Sequence, residues 1–179
     1  KLHVRAETGN GIKKVTMYVA GEKVLEEKPD TQLTVYEHDL LVKASAKKYT
    51  GYVVEVRVVD NCGNESKRKQ RVFIDKEMPK IDITGVGDGD YASENVSVSV
   101  AVSDVSFSNT IVEYVIVRAL NGKSYEEKRP AFTPREYEDK DQLMFSQEGK
   151  YTIYAVATDG AGNVTESERL HFCIDKTAP

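Results

Sequence analysis

Apolar and polar residues alternate along much of this chain with the period of two that β-strands produce. The clearest case is the segment 95–104, in which valines occupy every second position: Val96, Val98, Val100 and Val102. The residues between them are small or polar. This pattern predicts a strand that buries one face of a sheet and exposes the other.

Shorter runs of the same kind predict further strands on both sides of this one. They cover 2–7, 15–20, 24–27, 40–46, 52–59 and 67–74, and then 111–119, 143–145, 151–158 and 164–174. The pair Asn121-Gly122 predicts a two-residue hairpin turn. No segment keeps the apolar spacing of a helix over about ten residues. The predicted fold class is therefore all-β.

The chain also contains an internal repeat. Tyr52, Asp60, Gly63 and Asn64 recur 99 positions later as Tyr151, Asp159, Gly162 and Asn163, and Ile74-Asp75-Lys76 with Pro79 recurs 100 positions later. A period of this length is the size of one β-sandwich domain. We therefore predict two domains, 1–78 and 79–179.

The two ends of the chain suggest a segment cut from a longer polypeptide. Leu2-His-Val-Arg-Ala6 corresponds to the region of Val98 in the second repeat, so the first domain is expected to lack its opening strand. The final residues, ending at Pro179, correspond to the junction at Pro79 and are expected to lead into a further repeat.

The repeated Tyr, Asp, Gly and Asn residues, followed by Ile-Asp-Lys and a proline, resemble those of bacterial Ig-like domains. Such domains occur in tandem in surface adhesins and in the non-catalytic parts of secreted polysaccharide-degrading enzymes. The resemblance implies two tandem immunoglobulin-like antiparallel β-sandwiches in an extracellular, cell-surface or secreted protein. It also implies that Tyr52 and Tyr151 are tyrosine-corner residues, whose hydroxyls bond to nearby backbone.

Composition and charge exclude several classes of partner. The formal net charge is -4, so the chain has no cationic excess for nucleic acid or an anionic membrane surface. No stretch approaches the roughly 20 apolar residues of a spanning helix. Cys62 and Cys173 occupy non-equivalent positions in the two repeats, so we expect two free thiols. The expected partners are neighbouring repeats of the same chain and a host protein or polysaccharide.

No catalytic motif is found in the sequence. It has no Gly-x-Ser-x-Gly elbow, no Cys–His pattern and no Gly-rich phosphate loop. We therefore expect that the protein is not an enzyme. The preferred hypothesis is a structural or adhesive module that spaces or presents other domains; the alternative is a carbohydrate-binding or accessory module of a secreted carbohydrate-active enzyme.

The Asp-x-x-Gly-Asn segments have two interpretations. They are typical of hairpin turns, in which Asp accepts backbone N–H bonds and Gly or Asn adopts a positive φ. The sharper alternative is a calcium site, since hard cations bind several oxygen ligands. Its candidate ligands are Asp75, Asp104, Asp159 and Asn163. Apart from calcium, no cofactor is expected.

The segment 123–137 is rich in aromatic residues and prolines, and it too has two interpretations. As a long loop it would present Tyr125, Phe132 and Tyr137 to a ligand, because aromatic faces stack on sugars. As an edge strand followed by a loop, it would use the same rings to cover the open side of the sandwich.

Overall fold

The computed structural model describes residues 1–30, 32–43, 47 and 49–177, without the side chains of residues 128–131. The described chain consists of β-strands, turns and one short 3-10 helix at Phe107–Asn109, which confirms the all-β prediction. It divides into two compact units, Lys1–Asp75 and Lys76–Pro179. Within the described ranges, no helix has the length and apolarity required to span a membrane.

The described residues of the first unit form six strands in two antiparallel sheets. They are β1 (Leu2–Glu7), β2 (Ile12–Val19), β3 (Glu22–Glu27), β4 (Val35–Leu40), β5 (Tyr49–Asp60) and β6 (Glu65–Asp75). One sheet pairs β1 with β4, and the other has the order β3-β2-β5-β6. The buried core between them consists of Val4, Ile12, Val15, Met17, Tyr36, Leu40 and Val54.

The second unit is larger, and the part of it that the structure describes forms nine strands. They are β7 (Lys80–Thr84), β8 (Asp90–Ala92), β9 (Val96–Ser103), β10 (Ile111–Leu120), β11 (Lys123–Phe132), β12 (Glu138–Phe145), β13 (Gly149–Thr158), β14 (Val164–Glu166) and β15 (Leu170–Ile174). One sheet has the order β12-β9-β7. The other has the order β11-β10-β13-β15-β8, with β14 also paired to β13.

The core of the second unit follows the alternation read from the sequence. The four valines of β9 face inward and are at most 8% exposed. They pack against alternate residues of β10 and β13, including Val112, Tyr114, Ile153 and Ala155. Burying such side chains contributes roughly 1.5–3 kcal/mol each. The valine alternation thus specifies which face of β9 forms the core.

Two predicted elements are wrong. The strand predicted at 40–46 is instead β4, because Tyr36 and Leu40 point inward opposite Ala6 and Leu2 of β1. The apolar run after Leu40 lies beyond the strand, and its residues 44–46 fall outside the described residues. The strand predicted at 164–174 is divided into β14 and β15.

The segment 123–137 is an edge strand, β11, followed by a loop, so the second of its two interpretations is confirmed and the first is wrong for ten residues. β11 pairs with β10 along its length, with a register shift where Glu113 faces Pro130. Proline lacks the N–H that a sheet interior needs, and it is tolerated here because β11 is an edge strand with a bulge.

The first unit has no counterpart of β7 or β8 among its described residues. In the second unit, Ile81 and Ile83 of β7 pair with β9 and pack on the core. At the corresponding side of the first unit there is a cleft of about 520 Å³ between β1 and the β5–β6 hairpin, lined in part by Val4, Val56 and Val58. The apolar face of β1 is therefore only partly covered.

Candidate functional site

Both units close a hairpin with the same turn, which joins β5 to β6 in the first unit and β13 to β14 in the second. The backbone N–H of Asp60 donates to Asn64 O at 3.0 Å, and that of Gly63 donates to Asp60 O at 3.1 Å. The equivalent residues of the second unit, starting at Asp159, make the same bonds at 3.0 and 3.1 Å. The two turn glycines have φ values of 87° and 91°, which glycine adopts without strain. The turn interpretation is confirmed in both repeats.

The carboxylate of Asp159 is buried and held by the turn that it begins. Oδ1 accepts the backbone N–H groups of Ala161 at 2.9 Å and Asn163 at 2.8 Å, and Oδ2 accepts the side-chain amide of Asn163 at 2.7 Å. The same amide donates to Glu77 O at 2.9 Å. The segment before β7 is thereby fixed to this turn, within the second unit.

A second buried carboxylate, that of Asp104, lies beside it. Asp104 follows β9, and its N–H donates to Tyr137 O at 2.9 Å. Its Oδ2 accepts the hydroxyl of Thr110 at 2.5 Å and that of Ser106 at 3.1 Å. Carboxylate oxygens of Asp104 and Asp159 lie within 4.8 Å of each other, and both residues are 4% exposed.

One oxygen of this pair lacks a hydrogen bond. Asp104 Oδ1 has less than 1 Å² of accessible surface and no hydrogen-bond partner within the part of the chain that the structure describes. A buried carboxylate oxygen normally accepts a hydrogen bond or binds a metal, because leaving it unsatisfied costs about 1–3 kcal/mol or more. The two hydroxyls on Oδ2 fix the direction in which Oδ1 points.

The first unit differs at the equivalent place. Thr8 occupies the position of Asp104, since its N–H donates to Thr34 O at 2.9 Å as that of Asp104 does to Tyr137 O. The turn aspartate, Asp60, therefore has a neutral neighbour in place of a second carboxylate. Its Oδ2 accepts the side-chain amides of Asn64 at 2.9 Å and Asn10 at 3.2 Å.

These amide donors favour the ionised form of Asp60. The hydrogen bond from the Asn64 side chain is the main cause that lowers the pKa of Asp60 below its ordinary value, and burial opposes it. The bond from the Asn10 side chain and the backbone N–H groups of the turn lower the pKa further.

Three of the four predicted metal ligands thus come together in the second unit: Asp104, Asp159 and Asn163. Asn163 holds Asp159 through its amide nitrogen. Asp75 is the last residue of the first unit, and its part in binding a metal stays a prediction. The sequence reasoning missed Thr110, which is fully buried, because an isolated threonine in a loop gives no sign of what its hydroxyl binds.

The three predicted ligand-binding aromatics do not share a surface. Phe132 packs against the core, with its ring 6.4 Å from that of Tyr114. Tyr125 and Tyr137 are 58% and 55% exposed. Tyr125 pairs with Arg118 near the C-terminal end of β10. The backbone oxygen of Tyr137 accepts the N–H of Asp104 beyond the N-terminal end of β10. At about 3.3 Å per residue, the length of β10 separates them by roughly 25 Å.

Tyr125 nevertheless lies at a cleft of the second unit. The cleft has a volume of about 350 Å³, and its lining includes Arg118, Glu127, Met144 and Tyr151. The side chain of Met144 is 66% exposed. An exposed ring beside a cation, a carboxylate and a thioether forms a small amphipathic surface.

The tyrosine-corner prediction is confirmed for Tyr151. Its hydroxyl donates to Gln147 O at 2.7 Å, and its ring stacks on Phe172 with centroids 5.0 Å apart. Burial raises the pKa of the Tyr151 hydroxyl. In the first unit the position equivalent to Gln147 is 48, which lies outside the described residues, so the tyrosine-corner role of Tyr52 stays a prediction. Cys62 and Cys173 are free thiols, as predicted.

Comparison with solved structures found several modular proteins of low identity. The fibronectin(III)-like modules of CbhA from Clostridium thermocellum are 12% identical, with 97% of this chain and 85% of that chain covered and a TM-score of 0.48. A tetra-tandem repeat from the extending region of a large adhesion protein is 18% identical, with 97% and 45% covered and a TM-score of 0.44. The FN1–FN3 domains of chicken CNTN1 are 17% identical, with 93% and 56% covered and a TM-score of 0.43.

No curated protein matches the chain. A family match is found in the sequence itself: the model of the family described as "Bacterial Ig-like domain" matches residues 80–176. This range spans β7 to β15, more than half of the chain and nearly all of the second unit. The chain belongs to the bacterial Ig-like domain family.

Proposed function

We propose that this protein is a non-catalytic structural or adhesive module of a bacterial cell-surface or secreted multidomain protein. In this role it spaces or presents other domains outside the cell, and its partners include neighbouring repeats of the same chain. The observation that supports this most is the repetition itself. Two units of one chain share the Asp-x-x-Gly-Asn turn, with matching hydrogen bonds at Asp60 and Asp159.

The distribution of polar groups supports the same role. The buried acidic residues, Asp60, Asp104 and Asp159, lie at strand ends and are bound by turn amides or hydroxyls. In these positions they stabilise loops between strands. A module built in this way serves as a rigid support whose surface is free to vary.

A second candidate function is carbohydrate binding as an accessory module of a secreted carbohydrate-active enzyme. It is favoured by the exposed ring of Tyr125 at the cleft that includes Arg118 and Glu127. An aromatic face stacks on a sugar ring, and flanking charged groups bind its hydroxyls. Tyr125 is the residue that carries this alternative, because Phe132 packs in the core and Tyr137 lies at the other end of the unit.

Equilibrium binding to a panel of polysaccharides and matrix proteins separates the two functions. The structural proposal expects no saturable binding that depends on Tyr125. Tyr125→Ala is the test variant, and Tyr137→Ala is the matched control, because both rings are similarly exposed. Binding lost in Tyr125→Ala and kept in Tyr137→Ala would establish recognition by the cleft and overturn a purely spacing role. Turnover of any bound polysaccharide would contradict the non-catalytic assignment.

A further inference from the structure

The geometry at Asp104 and Asp159 points to a site for a divalent cation of the size of Ca²⁺ in the second unit. This inference is independent of the proposed function. It starts from two carboxylates that are each 4% exposed and have oxygens within 4.8 Å of each other. Like charges buried so close together destabilise the folded protein unless a cation neutralises them.

The chain does not supply that cation from its described residues. Asp104 is bound by the hydroxyls of Ser106 and Thr110, and Asp159 by the amides of Ala161 and Asn163. All of these donors are neutral. No lysine, arginine or histidine of the described ranges forms an ion pair with either carboxylate. The negative charge of the pair is therefore uncompensated by a side chain.

The second observation is the oxygen without a partner. Asp104 Oδ1 is inaccessible to solvent and accepts no hydrogen bond from the described chain. Oδ2 of the same carboxylate is fully used by two hydroxyls, which orient the group. An oriented carboxylate with one free, buried oxygen is the arrangement expected of a metal ligand whose outer hydrogen bonds are already formed.

The ligand atoms restrict the kind of cation. Ca²⁺ binds oxygen at about 2.3–2.6 Å, so two oxygens on one ion are at most about 5.2 Å apart. The 4.8 Å limit on the carboxylate oxygens is compatible with this range. Mg²⁺ binds oxygen at about 2.0–2.1 Å, demands near-ideal octahedral geometry and gives up its waters reluctantly, so two carboxylates held by turn amides and hydroxyls suit it less well than Ca²⁺. Both carboxylates are hard oxygen ligands, which soft metals disfavour.

The first unit provides an internal comparison. At the position of Asp104 it has Thr8, and the Asp60 carboxylate is instead bound by two side-chain amides. No second carboxylate accompanies Asp60 in the described part of this turn. The inference therefore predicts one cation per chain, bound by the second unit.

The test is calorimetric titration of the whole, chelator-treated chain with CaCl₂, together with its thermal unfolding. We expect one Ca²⁺ per chain. With a dissociation constant of roughly 10⁻⁴–10⁻³ M, 10 mM CaCl₂ should raise the unfolding midpoint of the second unit by roughly 5–10 °C. MgCl₂ at the same concentration should give a smaller shift. NaCl at matched ionic strength separates binding from screening of the two charges.

Three variants make the test specific. Asp104→Asn and Asp159→Asn should each abolish the heat of binding and the calcium-dependent shift, whereas Asp60→Asn should keep both. Without calcium, Asp104→Asn should unfold no earlier than the unsubstituted chain, because it removes one of two repelling charges. A residue with a merely structural role would lower the unfolding midpoint both with and without calcium. Circular dichroism verifies that each variant is folded.

Three results would overturn the inference. The first is the absence of a heat of binding and of a midpoint shift at 10 mM CaCl₂. The second is binding that persists in Asp104→Asn. The third is an equal loss of the heat of binding in Asp60→Asn, which would place the ion elsewhere.

Discussion

The hydrogen bond of the Tyr151 hydroxyl gives a prediction whose size follows from the structure. Tyr151→Phe deletes the O–H that donates to Gln147 O at 2.7 Å. The ring remains, with its stacked contact to Phe172 and its edge contact to Phe145. The expected loss is about 1 kcal/mol, since a net intramolecular hydrogen bond contributes about 0.5–1.5 kcal/mol.

Tyr151→Ala is the comparison that separates the hydroxyl from the ring. Tyr151 is 5% exposed, so its truncation leaves a cavity between Phe145 and Phe172. Replacing a buried aromatic ring by alanine costs about 3–5 kcal/mol. The alanine variant should therefore lose about three to five times as much stability as the phenylalanine variant.

Thermal unfolding with hydrogen exchange at the amides of β13 assigns the loss to the second unit. For a domain of this size, 1 kcal/mol lowers the midpoint by about 4–8 °C. We expect a decrease of that size for Tyr151→Phe. A midpoint equal to that of the unsubstituted chain would refute an energetic role for the hydroxyl. A decrease equal to that of Tyr151→Ala would show that the substitution disturbs the packing of the ring.

Three further predictions concern a carboxylate, a glycine and the cleft of the first unit. Because the pKa of Asp60 is lowered in the folded protein, its ionised carboxylate stabilises the fold above the ordinary pKa, and this stabilisation is lost as the pH falls through the pKa of the folded state. Asp60→Asn should therefore reduce the dependence of the free energy of unfolding on pH in the acid range. Gly85→Ala should cost at least about 2 kcal/mol, because φ is +96° and the new Cβ would lie 2.3 Å from Ser97 O. A copy of residues 80–92 joined by a flexible linker before Lys1 should raise the unfolding midpoint of the first unit, because its two isoleucines can cover the cleft beside β1.

Each of these has a matched control. For Asp60→Asn, hydrogen exchange at the amides of β13 should have the same pH dependence as in the unsubstituted chain, because that strand lies in the other unit. Gly9→Ala controls for Gly85, since Gly9 has open space and no positive φ; equal losses would argue against the clash. For the added segment, a copy with Ile81 and Ile83 replaced by Ser should give no stabilisation, and equal stabilisation would contradict filling of the cleft.

Much of the fold could be predicted because alternation and repetition record it directly. Val96, Val98, Val100 and Val102 alternate without interruption, so both the strand and its inward face follow. The Asp-x-x-Gly-Asn turn appears twice, and its glycines require a positive φ wherever they occur. In these places local residue chemistry and tertiary packing favour the same structure.

The errors occur where tertiary packing outweighs the local pattern. β4 was missed because Glu37 and Asp39 interrupt its apolar residues, and only the pairing with β1 shows that Tyr36 and Leu40 face inward. For β11 the sequence left a loop and an edge strand followed by a loop both open, and only the pairing with β10 decides for the edge strand.

The candidate site was predicted only in part, because the sequence indicates where the carboxylates lie but not which hydrogen bonds they accept. Asp104 and Asp159 are carboxylates at strand ends, and the sheet order of such a sandwich places strand ends together. The sequence does not show that Thr110 and Ser106 occupy Oδ2 of Asp104 and leave Oδ1 unsatisfied. That distinction depends on side-chain orientation, and it changes an ordinary acidic turn into a candidate cation site.

The parallel pairing of β8 with β15 has a mechanical consequence. Asp90 lies opposite Phe172 and Ala92 opposite Ile174, so tension on the two ends of the second unit pulls these strands in opposite directions along their length. The hydrogen bonds between them are then loaded together in shear, and they must break nearly at once. A strand pair that opens from one end breaks its bonds singly, at lower force.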